Sequence, residues 1–165
     1  MSLPTRLAVV CYFRRNDHTL FIDYTLTNHP IHKGKFSPTG GKVEKGETPE
    51  EAAKREAEEE TNIITHKLVY RGKVLFRNER RTIDGKAMEY NWEVHFYDCH
   101  KFDYTQARAS EGRLAWTRND EVLDLPLHEG DKVIWERWLK DHNEFEGEII
   151  HEGENLTSAK LLMSK

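Results

Sequence analysis

"GKFSPTGGKVEKGETPEEAAKREAEEETNI", residues 34 to 63, sets Glu56, Glu59 and Glu60 at spacings that share one side of a helix. Carboxylates three or four positions apart repel by a few tenths of a kcal/mol per pair. Such crowding makes sense if a cation is to sit among them. The helix itself is well specified. Thr48 fits the N-cap, Pro49 the first helical position, and Glu51 completes a capping box. Ala52, Ala53 and Ala57 favour helix and leave a small-sided face for close packing against a sheet. Asn62 tolerates the left-handed conformation that ends a helix.

The residues before the helix point the same way. Gly40 and Gly41 let the backbone approach a ligand closely, and Lys42 adds a positive charge suited to phosphates. Glu47 and Arg55 stand where a charge-assisted hydrogen bond would tie loop to helix. Three hard oxygen donors on a rigid face suit Mg²⁺, which prefers carboxylates, water and substrate phosphates. Spacing alone leaves a solvated glutamate face as the alternative. The full pattern, G-x5-E-x7-R-E-U-x-E-E-x-G-U with U aliphatic, resembles the box of the Nudix family. Here it reads Gly41, Glu47, Arg55, Glu56, Ala57, Glu59, Glu60, Asn62 and Ile63. Asn62 replaces the family's glycine, and Ala57 is a small occupant of the aliphatic slot.

The resemblance implies a Nudix-type α/β/α sandwich with a mixed β-sheet, the box forming a loop-helix-loop. It also implies Mg²⁺-dependent hydrolysis of a nucleoside diphosphate linked to another group, with Mn²⁺ as a substitute ion. Glu56, Glu59 and Glu60 match the family's metal-ligand positions, joined by the Gly40 carbonyl. Glu56 and Glu59, supported by the Arg55–Glu47 pair, match the catalytic positions, and Glu56 is favoured as the base.

The similarity extends over nearly the whole chain and is to the MutT-like branch, whose members hydrolyse oxidised purine nucleoside triphosphates such as 8-oxo-dGTP. It rests on "EGRLAWTRNDEVLDLPLHEGDKVIWERWLK", residues 111 to 140, and the closing hairpin. Glu111 matches a distal glutamate that supplements the metal site. An exposed loop glutamate is its alternative reading. Gly41, Lys42, Phe36, His128 and Asp131 are the candidate substrate-binding positions, with Phe36 equally readable as an anchor of the loop. There are departures from the branch. His128 stands where a stacking tryptophan is usual, Ser37 where an asparagine reads the base edge, and Tyr24 where a basic residue meets phosphate. Lys33 and Lys35 are placed to replace that cation. Asp131 has a second reading as a helix cap. Trp92 and Trp116 read as core, and Arg77, Arg80 and Arg81 as solvated hairpin charges. Other substrates in keeping with the family are a nucleotide sugar, a dinucleoside polyphosphate or a capped RNA end. A non-catalytic nucleotide-binding module is the reading from another class, opposed by the intact glutamates.

Composition agrees with these expectations. The 165 residues (19.4 kDa) fit one domain spanning the chain, with 33% charged and 37% hydrophobic residues. A net charge of -4 argues against a general nucleic-acid or membrane binder and leaves a small nucleotide as the partner. "MSLPTRLAVV" lacks a signal-peptide pattern, and Cys11 and Cys99 sit in apolar stretches as reduced thiols, so a cytoplasmic location is expected. "RLAVVCYFRR", "TLFIDYTL", "HKLVYRGKVLFRN" and "AMEYNWEVHFYDC" read as strands, with Tyr90, Trp92, Val94 and Phe96 on one face. "EGDKVIWERWLKDH" reads as a second helix that turns Val133, Ile134, Trp138 and Leu139 to the core.

Overall fold

β-Branched and aromatic residues dominate Thr5–Arg15 (β1) and His18–Asp23 (β2), which fold back on each other around Asn16 in the left-handed region (φ 55°). The computed structural model of the chain describes residues 2–139 and 143–164. Short strands Phe36–Ser37 (β3) and Thr39–Lys42 (β4) lead into helix α1, Pro49–Thr61. The long strand Ile64–Ile83 (β5) follows, then Lys86–Ala87 (β6), Asn91–Asp103 (β7) and Arg113–Arg118 (β8). A 3-10 turn at Asn119–Asp124 precedes α2, Glu129–Arg137, and the hairpin Phe145–Gly153 (β9) and Asn155–Ser164 (β10) closes the fold.

The strands run β10-β9-β5-β7-β1-β2-β3, with β4 on β1, β6 on β5 and β8 on β2. β1 lies parallel to β7, β5 lies parallel to β9, and the other pairs are antiparallel, so the sheet is mixed as expected. Alternation along β1 sends successive side chains to opposite faces. Cys11 and Phe13 pack with Ala57 and Ile63 on the α1 side, whereas Tyr12 packs with Ile134 and Trp135 on the α2 side. The alanine face of α1 is fully buried, which lets the helix lie close to the sheet.

The capping expectations for α1 are met. The Thr48 hydroxyl accepts from the Glu51 amide at 3.2 Å, and Asn62 ends the helix at φ 57°. The second helix is shorter than the sequence suggested. It stops at Arg137, Trp135 joins Ile134 in the core, and Val133 is only half-buried. Residues 140–142, counted in that helix from the sequence, lie outside the described residues. Tyr90 keeps ring contact with Trp92, the centres 6.2 Å apart, although it lies outside the strand. It precedes β7, and the Arg6 guanidinium lies 3.8 Å from its ring centre. Trp92 and Trp116 are partly buried against apolar clusters, in keeping with core roles. No helix among the described residues is long and apolar enough to cross a membrane.

Candidate active site

Arg55 organises the box. Its guanidinium donates to Glu47 twice, from Nη2 to Oε1 at 2.6 Å and from Nε to Oε2 at 3.1 Å. Nη2 also donates to the Lys42 carbonyl at 2.9 Å, so one side chain fixes both ends of the loop to the helix. Nη1 reaches Glu56 at 2.9 Å and Glu59 at 3.2 Å. The hydrogen bond to Arg55 holds the Glu47 carboxyl below the usual carboxylate range. The expected loop-to-helix tie is present, and it takes in two more glutamates.

Glu60 points the other way, beneath the glycine loop. The Gly40 amide donates to its Oε1 at 2.8 Å, and the Tyr24 hydroxyl lies 3.5 Å from its Oε2. Burial pushes the Glu60 carboxyl up to about 8, with the nearby Glu56 charge adding to the shift against the Gly40 hydrogen bond. Burial also raises Glu56, opposed by Arg55. The two glycines serve different neighbours. A Cβ on Gly40 would lie 2.4 Å from the Val9 carbonyl oxygen, and one on Gly41 would lie 2.4 Å from the Glu56 carboxyl. The close approach inferred for this loop is therefore made to the chain's own strand and carboxylate. Lys42 is exposed at the loop's edge.

Among the described residues, no group of three acidic, histidine or cysteine side chains converges tightly enough to hold an ion. Glu56 and Glu59 are turned onto Arg55, and Glu60 is turned onto Gly40. The donor set nevertheless suits a hard divalent cation: two carboxylates with raised pKa beside a glycine loop gain most from a nearby positive charge. Glu111 is exposed and lies 3.8 Å from His29 Nε2, and its charge, like that of Glu60, acts on Tyr24. Its loop is pinned to the end of α1 by the Ser110 amide on the Glu60 carbonyl and the Arg108 amide on the Thr61 carbonyl, both at 2.8 Å.

The other predicted substrate residues gather under the start of α2. Phe36 donates its amide to the Pro126 carbonyl and bridges to Leu127, which puts it beside His128. His128 is half-buried, and burial with the nearby Lys35 and Arg81 charges lowers its ring to about 4. Lys35 is half-buried and its charge acts on His128, while Lys33 is exposed. Asp131 is not the helix cap. His128 occupies that position without a side-chain cap bond, and Asp131 lies in the first turn. Burial lifts its carboxyl to about 7 against the pull of Arg81. The Ser37 hydroxyl is buried and turned onto the Pro38 carbonyl at 3.2 Å, so it does not present a base-reading group.

Arg81 and Tyr24 were missed in these roles from sequence. Arg77 pairs with Glu148 as a hairpin charge, and Arg80 with Glu152, as expected. Between these two, β5 carries one residue more than β9 before pairing resumes. That bulge reverses the alternation and sends Arg81 inward, where burial lowers its pKa and it faces Asp131. No signal in the sequence marks a bulge at this point. Tyr24 is buried, and burial together with Glu60 raises its hydroxyl pKa. A cavity of about 540 Å³ elsewhere, lined by Arg14, Arg71, Asp98 and Trp135 among others, contains none of the box residues.

Comparison with known proteins agrees with this geometry. The chain is 32% identical over 104 residues to "Putative 8-oxo-dGTP diphosphatase 3" of Mycobacterium tuberculosis, which covers 63% of this chain. The matched stretch spans only 46% of that relative's length. It is 27% identical over 125 residues to "Oxidized purine nucleoside triphosphate hydrolase" of Danio rerio, covering 74% of each chain. The crystal structure of a MutT protein from Bacillus halodurans superimposes with a TM-score of 0.77 at 26% identity, covering 95% of this chain and 97% of the other. The NUDIX domain model matches residues 4–152, nearly the full length over which the box, the sheet and the α2 pocket are built, and the chain belongs to the NUDIX domain family.

Proposed function

We propose that this protein is a divalent-metal-dependent pyrophosphohydrolase that converts a nucleoside triphosphate to its monophosphate and pyrophosphate, with oxidised purine nucleotides as the leading substrates. The observation that carries the reading is the box loop clamped by Arg55, with the raised carboxyls of Glu56 and Glu60 set beside Gly41 and Gly40. The names borne by the mycobacterial and fish relatives support the choice of substrate. The family match over residues 4–152 supports one catalytic domain.

Glu56, Glu59, Glu60 and the Gly40 carbonyl would hold Mg²⁺, with Mn²⁺ as a substitute and Glu111 as an outer supplement. The ion would neutralise phosphate oxygens and acidify a water. Arg55 does not act on the substrate in this scheme. It fixes the loop and, bonded to both Glu56 and Glu59, offsets their mutual repulsion. Glu56 takes the proton of the attacking water, whose oxygen adds to phosphorus as the bridging P–O bond breaks and pyrophosphate leaves. Lys42 at the loop edge and Lys35 near His128 supply positive charge along the polyphosphate and base. Phe36 and His128 offer ring faces to the base, and Asp131 with Arg81 offers an acceptor and a donor to its edge. The two buried free cysteines support a reducing, cytoplasmic setting.

The test is pyrophosphate release with and without Mg²⁺ across 8-oxo-dGTP, dGTP, a nucleotide sugar and a dinucleoside polyphosphate. Mg²⁺-dependent release with 8-oxo-dGTP as the best substrate is expected. No release from any of them would return the chain to the class of nucleotide-binding modules.

A further inference from the structure

Between β2 and β3 the chain makes a tight loop whose ends meet, the Tyr24 amide donating to the Lys35 carbonyl at 2.9 Å and the Gly34 amide to the Tyr24 carbonyl at 3.4 Å. Rings fill it. His29 stacks on His32 with centres 4.7 Å apart and planes inclined by 26°, and Tyr24 lies 4.8 Å and 5.1 Å from the two imidazoles. His29 is itself oriented, because its Nδ1 accepts from the amides of Ile31 and His32, both at 3.1 Å. An accepting Nδ1 leaves the proton of the neutral ring on Nε2, the nitrogen that faces Glu111. The far end of the stack meets the pocket. His32 Nδ1 lies 2.8 Å from His128 Nε2, a separation that holds one proton and excludes two.

We infer that His32 is a positioning residue for the base pocket: its ring, pinned in the Tyr24–His29 stack, fixes the orientation of His128 and couples the tautomers of the two rings. This rests on the reading of His128 as a base-contacting residue. The two rings meet edge-on, with centres 5.0 Å apart and planes inclined by 69°. Because one proton is shared, the tautomer of His128 is tied to that of His32, and so is the donor or acceptor character of its opposite nitrogen. Both rings are lowered to about 4, chiefly by burial, so the pair is neutral at pH 7. The same stack connects the pocket to the acidic face, because Tyr24 touches Glu60 and His29 faces Glu111.

His32→Phe keeps the ring in the stack and removes the bond, whereas His32→Asn places an amide close to where Nδ1 lay. Expected for His32→Phe is a rise of about fivefold in KM for purine triphosphates, the scale of one lost neutral hydrogen bond, with kcat within about twofold. His32→Asn should recover most of that rise. Turnover of the abasic 2-deoxyribose 5-triphosphate should follow wild type in both variants. Independently of turnover, ¹⁵N spectra of the free protein should show a His128 tautomer balance in His32→Phe that differs from wild type, because the partner nitrogen is gone. An unchanged His128 spectrum in His32→Phe overturns the inference, and so does an equal KM rise on base-bearing and abasic substrates. If wild type hydrolyses no nucleotide, the proposed function fails while the spectra still decide the role of His32.

Discussion

Gly41, Glu47, Arg55, Glu56, Glu59 and Glu60 come from twenty consecutive residues, 41–60, whereas His32, Lys35, Phe36, Arg81, His128 and Asp131 come from three distant stretches. The first group is positioned by helical spacing, one N-cap and one arginine clamp. The second is positioned by strand register, a bulge in β5 and a hydrogen bond between imidazoles 96 positions apart. Their electrostatics also differ. The box gathers negative charge and partly neutralises it with Arg55, while the pocket keeps its histidines neutral by burial. A local unit of the first kind keeps its geometry wherever the sheet carries it. A pocket of the second kind exists only once the whole sheet is in register.

The largest effect should come from the box. Glu59→Gln keeps the shape and removes a ligand charge, and hydrolysis should fall on the order of 10² to 10⁴-fold. The melting temperature should hold, since relieved repulsion on α1 offsets the weakened, exposed pair with Arg55. Full turnover at saturating Mg²⁺ would remove Glu59 from the proposed metal set.

Gly41→Val should come next. Its Cβ would meet the Glu56 carboxyl at 2.4 Å, so Glu56 must be displaced. Isothermal titration with Mg²⁺ and a non-hydrolysable nucleotide should show weaker binding than for Lys160→Ala, a change on the edge strand β10. Equal affinities would mean that Glu56 moves aside without consequence.

A smaller change is expected from Asp131→Asn, which replaces a carboxyl that gains and loses a donor proton near pH 7 with an amide that always both donates and accepts. The ratio of kcat/KM between 8-oxo-dGTP and dGTP should shift, while the abasic triphosphate should not respond. Since Asp131 does not cap α2, an unchanged ratio cannot be attributed to a lost cap and would detach Asp131 from base selection.

The smallest effects are in stability against pH, where the pocket contains two opposite signs. Asp131, raised from 3.8 to about 7, retains a proton in the folded state that the unfolded chain has released. Its contribution favours folding at the acid end and is lost as pH rises through 7, so Asp131→Asn should gain on wild type in melting temperature between about pH 4 and pH 8. His32 and His128, lowered from 6.5 to about 4, act the other way. Their contribution is present above 6.5 and is lost as pH falls toward 4. Replacing both by Phe should therefore flatten the fall in melting temperature between about pH 6.5 and pH 4. A wild-type fall that is no steeper than the double variant's would place the histidines outside the buried pocket.

The sequence by itself determined the box, because each of its interactions lies within a span where helix geometry and capping rules act locally. Thr48, Asn62, the buried alanines and the Glu47–Arg55 tie all take the places their spacing implied. It also indicated the mixed sheet, since strand periodicity shows in β-branched and aromatic alternation. Only the tertiary structure decided which way the glutamates turn: Glu56 and Glu59 onto Arg55, and Glu60 inward onto Gly40 and Tyr24. It alone made Arg81 a pocket residue, because one extra residue in β5 inverts the face of every side chain beyond it until register is regained. It alone joined His32 to His128, through a loop closure and a strand pairing that no local pattern encodes. Local chemistry follows from neighbours in the chain, and the pocket follows from neighbours in space.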